Sequence, residues 1–387
     1  MKITRQIILF FTYYFILYFA QAIAYVLLIS FLTGLGYTAT QRSVFFVVDA
    51  IAGMILQVVI GYLCDRHQKI KPYLYIVSIF YAVGTYFMYR TTAMQFWLHM
   101  LLVTLISSMT RLTMSLSDSI TIETSTETRD NYGVIRLFGS IGWAVGSPIT
   151  AILAEKFGYP FLGIAFIFVI VLSFVVLWGI RDVNKVKSSE PVSLKDVKAL
   201  LANRTYRFMV MVLFLINIVD MTQSYSVVDK MWYLNGSERD IGNYWLMAAM
   251  MELPLFFLGG WLVKKFGAVK LLIISGIFYT LRYVVYGIAG SIVMVFVGGL
   301  LQGLTYPLLM VSSKILIDDE SPDNMKTSGQ QVANSIYGGG SAMIAPVLVG
   351  VLEDGLGINP SLFAIAALAL LPTVMMLFYH KKTEKVL

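Results

Sequence analysis

From Ile7 to Leu32 the chain carries no charged side chain. An α-helix needs about 20 mostly apolar residues to cross the hydrocarbon core of a bilayer, and this run exceeds that. Eleven further runs follow, near 41–63, 72–90, 95–117, 133–154, 160–181, 207–228, 241–263, 270–289, 291–315, 329–352 and 360–380. Lipid offers no partner to a free backbone N–H or C=O, so each run must close its hydrogen bonds within itself, as a helix. The runs are continuous rather than alternating, which argues against a β-barrel. The expectation is an all-α integral membrane protein of twelve transmembrane helices. Lys2 and Arg5 ahead of an apolar stretch, with Ala20-Gln21-Ala22 further on, imitate a secretory leader. The run is too long for one, so the first span is expected to stay.

Composition closes off other classes. Only 13% of the 387 residues are charged, against about 25% in soluble domains. A net charge of +7 could serve nucleic acid, but the basic residues lie in short segments between apolar runs, so no nucleic-acid partner is expected. Cys64 is the single cysteine, which excludes an internal disulfide. The three His have no ligand-like spacing, so no metal and no other cofactor is expected. Neither HExxH, GxSxG nor a catalytic Asp pair appears, which argues against an intramembrane enzyme.

Orientation follows from the basic residues. Counted with the N-terminus inside, twenty of the 29 Lys and Arg fall on the cytoplasmic side and five on the other. That bias puts both termini in the cytoplasm of a cell-membrane protein. The longest polar stretch, Arg181 to Arg207, divides the chain into a six-helix bundle at 1–181, a cytoplasmic linker at 182–206 and a second bundle at 207–387. Within the linker, 194–201 could form a short surface helix. The halves echo each other. Gly61-Tyr62-Leu63-Cys64-Asp65-Arg66 leads to Lys71 after span two, and Gly260-Trp261-Leu262-Val263-Lys264-Lys265 leads to Lys270 after span eight. Repeated halves are a common transporter plan, with the site at their interface near the bilayer midplane. Glycine there would let helices approach closely. Gly61, Asp65 and Arg66 are the candidate gating loop, with Asp65 able to latch a helix end.

Eight ionisable residues fall at membrane depth: Asp49, Arg111, Asp118, Arg136, Asp220, Glu252, Arg282 and Lys314. Each costs at least about 2.5–3.5 kcal/mol at the bilayer centre, so each marks a candidate site. They are four of each sign. Helical spacing gathers polar residues into stripes: Tyr18, Gln21 and Tyr25 on span one; Arg111, Ser115 and Asp118 on span four; Asn217, Asp220 and Ser224 on span seven; Gln330, Asn334, Tyr337 and Ser341 on span eleven. Such stripes fit a hydrated cavity, with interhelical hydrogen bonding as the alternative.

Span five opens Tyr132-Gly133-Val134-Ile135-Arg136-Leu137-Phe138-Gly139-Ser140-Ile141-Gly142-Trp143-Ala144. This resembles the lactose-permease-like group of the major facilitator superfamily, whose fold is two pseudo-symmetric six-helix bundles. In that group the Arg binds sugar hydroxyls and the Trp stacks on a sugar ring. The resemblance implies those roles for Arg136 and Trp143, with Asp118 as the carboxylate eighteen residues ahead. Arg offers a fork of donors suited to carboxylates and vicinal hydroxyls, and Trp a flat apolar face with an N–H at its edge. Gln57, Gly61 and Asp65 are similar to the family's span-two end and loop, with Gln68 where that loop usually has Gly. Asp220, Arg282 and Pro307 fall on a span-seven Asp, a span-nine Arg and a span-ten Pro. The family's His and Glu of span ten are replaced by Gln302 and Thr305, and its Lys partners on spans ten and eleven are missing. Glu252, in a Glu-Leu-Pro sequence, lies about one turn from the family's span-eight carboxylate. There the chain is similar to a broader group that includes phenylpropionate-type and nucleoside proton symporters.

The expected function is proton-coupled symport of a small polar, sugar-like solute by a monomer. Candidate solute contacts are Tyr18, Gln21, Arg111, Asp118, Arg136, Trp143, Asn217, Asp220, Gln302 and Asn334. Candidate proton-coupling residues are Asp49, Asp220, Glu252 and Arg282. Glu252 leads these, because an apolar surrounding favours the protonated carboxyl. The alternatives are symport of a nucleoside or aromatic acid, and proton-driven export, which the 20 Met would suit. A non-transporting sensor would need an attached signalling domain, for which the short tails leave no room.

Overall fold

A computed structural model describes residues 4–182, 198, 200–322 and 326–384. Among these residues there is no strand. Unit-by-unit, the spans are α1 (Arg5–Gly34), α2 (Ala39–His67), α3 (Lys71–Met88), α4 (Phe96–Thr124), α5 (Tyr132–Phe157) and α6 (Tyr159–Gly179). The second six are α7 (Arg204–Tyr233), α8 (Glu238–Phe266), α9 (Ala268–Ile288), α10 (Ile292–Glu320), α11 (Lys326–Leu356) and α12 (Ile358–Glu384). Eleven are long and apolar enough to cross a membrane; α3, with 18 residues, is the shortest. The expected surface helix at 194–201 lies mostly outside the described residues.

Large apolar side chains point outward along α2 and α8. Val58 is 74% exposed and Phe257 91%. In water such a surface would aggregate; against lipid it is at home.

The chain divides into two compact units. The first comprises Met1–Tyr37, Val44–Ser189 and Ser237–Leu246; the second Thr38–Ser43, Glu190–Gly236 and Met247–Leu387. The first residues of α2 thus pack with the second unit and those of α8 with the first.

Glycines decide where helices press together. A Cβ on Gly142 of α5 would meet the backbone of Phe15 in α1, and one on Gly303 of α10 would meet the Met251 carbonyl of α8. Without side chains at these points the backbones approach directly. The close approach expected at Gly61 and Gly260 is not found. A Cβ at either would meet nothing within 4 Å, because both face outward near the ends of α2 and α8.

Three spans are interrupted. The first, α1, breaks at Val26 and Leu27, between Arg5–Tyr25 and Leu28–Gly34. In α10 the helix tightens to a 3₁₀ turn at Leu301–Leu304 and resumes at Tyr306. Pro307 has no N–H and its ring collides with the carbonyl four residues back, so a continuous α-helix is not open to this stretch. The Gln302 carbonyl instead accepts from the Thr305 N–H (3.1 Å) and hydroxyl (2.9 Å). In α11 a π turn occupies Ser335–Gly339. Its Tyr337 carbonyl accepts from the Asn217 amide of α7 at 3.0 Å and from Ser341.

A residue with positive φ follows α2 and α8 alike, but three residues separate α2 from α3 and one separates α8 from α9. Gln68 has φ 54° and Gly267, at the same place in the second repeat, φ 78°. In the first unit Asp182 accepts from the Ile70 and Lys71 N–H groups, both 3.2 Å, while Lys71 Nζ donates to the Trp178 and Ile180 carbonyls. The loop lysine closes the open end of α6.

Candidate functional site

In the first unit the cluster forms on α1, α4 and α5. Tyr14 Oη donates to Asp118 at 2.8 Å and accepts from Thr121 Oγ1 at 3.1 Å. The Arg136 guanidinium lies 4.3 Å over the Tyr18 ring, a cation–π contact. Gly139 makes room for that ring, since a Cβ there would collide with it. Tyr132 interacts with both Asp118 and Arg136. One turn away Phe11 stacks on Phe138 with centroids 4.2 Å apart. Trp143 is half-buried. On α1, the Gln21 side-chain oxygen Oε1 is buried with no hydrogen-bond partner among the described residues. The cluster therefore presents a carboxylate, a guanidinium and several aromatic faces within one stretch of helices.

Arg111 goes elsewhere. Its guanidinium pairs with the Asp49 carboxylate and donates to the Asp49 carbonyl at 2.9 Å. Ser108 donates to the same carboxylate at 3.2 Å. Gly53, one turn beyond Asp49, lies directly under Arg111. Arg111 and Asp118 share a helix, yet the first serves Asp49 and the second Tyr14.

In the second unit the cluster centres on Arg282, which is fully buried. Its Nε donates to Tyr286 Oη at 2.6 Å, and Nη1 donates to Gln302 Oε1 and to Thr305 Oγ1 at 3.4 Å. Gln302 Nε2 then donates to Glu252 Oε1 at 2.5 Å. Asp220 accepts from Tyr279 Oη at 2.5 Å and feels the Arg282 charge. The α10 break and the Gly303 contact bring Gln302 between Glu252 and Arg282. The structure thus joins Asp220, Glu252, Arg282 and Gln302. Asn217 is used at the α11 π turn, and Asn334 is exposed. Arg66 is exposed, and the Asp65 side chain lies outside the described residues.

Composition hid part of this arrangement. Tyr14, Tyr132, Tyr279 and Tyr286 all touch charged groups, but among 23 Tyr nothing marks them. Arg42 sits at the start of the second span, where charge is unremarkable. It in fact forks onto Asp229 with two 2.8 Å bonds, in the second unit, and both side chains are only 7% exposed. Glu353 interacts with the same pair.

Among the described residues, eleven membrane-length apolar helices and buried charge clusters fit a multi-pass membrane transporter, and known proteins agree. The model of the MFS_1 like family matches residues 54–365, so the chain belongs to that family. It is 23% identical over 259 residues to the maltose permease of Geobacillus stearothermophilus, covering 66% of this chain and 65% of that one. It is 22% identical over 385 residues to the putative nucleoside transporter YegT of Escherichia coli (strain K12), covering 91% and 88%. The lactose permease of Klebsiella oxytoca is 24% identical over 278 residues, covering 67% of this chain and 65% of that one. The chain thus spans just under two thirds of either permease. Among solved structures, that of the nucleoside transporter NupG superimposes with a TM-score of 0.84 at 12% identity, over 98% of this chain and 100% of that one. These relatives are transporters rather than enzymes.

Proposed function

We propose that the chain is a proton-coupled symporter that imports a small polar, sugar-like solute by alternating access. One observation carries this reading: a fully buried guanidinium, Arg282, faces two carboxylates, Asp220 and Glu252. One cation neutralises one anion. In low dielectric the second carboxylate is left uncompensated unless it takes a proton. Glu252 is assigned as the proton carrier, because Asp220 has the Tyr279 hydroxyl close by and Glu252 is hydrogen-bonded to the Gln302 amide, which is bonded in turn to Arg282.

The Asp118–Arg136 cluster is assigned to the solute. Asp118 accepts from hydroxyls, Arg136 donates to them, and Trp143 offers a ring face. The relatives named as maltose and lactose permeases support a sugar-like ligand. A nucleoside is the second reading. It is favoured by the Phe11–Phe138 stack beside Arg136 and by the putative nucleoside transporter among the relatives. In this account 1–181 and 207–387 are the two moving halves, 182–206 joins them, and both termini are cytoplasmic in the cell membrane of a monomeric carrier.

The test is a thermal-shift screen of the purified protein against sugars, nucleosides and aromatic acids, with Arg136→Ala alongside. A stabilising ligand whose effect is lost in Arg136→Ala supports the assignment. A ligand that stabilises both equally refutes the Arg136 site.

A further inference from the structure

The break in α10 places one neutral side chain between two ionisable ones. Arginine has donors and no acceptor, so the Gln302 oxygen must face Arg282 and its amino group is left for Glu252. That is the arrangement observed. Asp220 on α7 and Arg282 on α9 are the charged groups that face Glu252 from the helices around it, and Tyr279, Tyr283 and Tyr286 surround Arg282. Gln302 itself is 4% exposed, so water does not readily replace its bonds.

A hydrogen bond to an ionised carboxylate is about twice as strong as one between neutral groups. In a low-dielectric interior, successive bonds polarise one another. We propose that Gln302 is the positioning residue whose hydrogen bonds couple Arg282 to the charge of Glu252. This rests on the assignment of Glu252 as proton carrier. With Glu252 ionised, Arg282, Gln302 and Glu252 form one polarised chain between opposite charges. When a proton from water forms an O–H bond on Glu252, the amide is left bonded to a neutral group and its hold on Arg282 weakens. Asp220 is then the ionised carboxylate facing the guanidinium. Loss of the proton back to water reverses the step. A direct pair would strand a buried charge whenever its partner was neutralised. An interposed amide keeps both of its ends bonded in either state.

The full-length protein in lipid nanodiscs, without solute, is titrated with pH while the infrared C=O stretch of protonated carboxyl groups is recorded. The Glu252 share is the part lost in Glu252→Gln. Gln302→Met keeps the length of the side chain and removes the donor to the ionised form. It is expected to move the midpoint of that share up by about one pH unit. Gln302→Leu tests the same point with a different shape. Thr305→Val removes another Arg282 partner but leaves the amide, and is expected to leave the midpoint in place. A midpoint unmoved by Gln302→Met and Gln302→Leu, or moved equally by Thr305→Val, overturns the proposal. If Glu252→Gln removes no part of the band, the proton-carrier assignment fails and the proposal falls with it.

Discussion

Gln68 holds a left-handed backbone, φ 54°, where the equivalent residue of the second repeat is Gly267 at φ 78°. The left-handed conformation of Gln68 costs an ordinary L-residue about 1–2 kcal/mol and glycine almost nothing. Gln68→Gly is therefore expected to raise stability by about 0.5–1 kcal/mol, after allowance for the freer unfolded chain. Gly267, with ψ 151°, lies in a region essentially confined to glycine, so Gly267→Gln should lower stability by about 1–3 kcal/mol. Thermal unfolding of both variants in detergent checks this, and equal signs would contradict it. At this scale the sequence was legible where a residue breaks its surroundings. Asp118, Arg136, Asp220, Glu252 and Arg282 stood out because charge in an apolar run is costly. Their partners did not stand out. A tyrosine looks alike whether it fills space or donates to Asp220, and only the fold shows which it does.

Among elements, the spans could be read from length alone, because a bilayer sets the length of a helix. The interruptions were legible only in part. Pro307 announces a break in α10, whereas nothing in Ser335-Ile336-Tyr337-Gly338-Gly339 announces a π turn. That turn depends on Asn217 reaching across from another helix to take the Tyr337 carbonyl. The contact of α8 with α10 is set by Gly303 against Met251. Gly303→Val should overpack it and cost about 1–3 kcal/mol. It should also abolish solute uptake by parting Gln302 from Glu252. Gly260→Ala, facing open space, should leave uptake and unfolding close to wild type. Uptake assays and unfolding midpoints on the two variants separate the cases; equal effects would show that the close contact is not what matters.

For the molecule as a whole, the repeat was visible in the paired loops, but the way the first residues of α2 join the second unit was not. Arg42 is the anchor. Its fork onto Asp229 is nearly closed to solvent, so Arg42→Met or Asp229→Leu alone breaks a buried charge pair, at a cost of about 3–5 kcal/mol. The double variant removes both charges and should recover most of that loss. Unfolding midpoints of the singles and the double decide it, and additive losses would refute a true pair. The proposed cycle is a property of the whole carrier and depends on Glu252 giving up and regaining its proton. The most direct measurement is solute uptake into proteoliposomes under an imposed pH gradient, wild type against Glu252→Gln, with solute exchange at equal pH in parallel. The account predicts that the variant exchanges solute and accumulates none. Accumulation at the wild-type level in Glu252→Gln would contradict it.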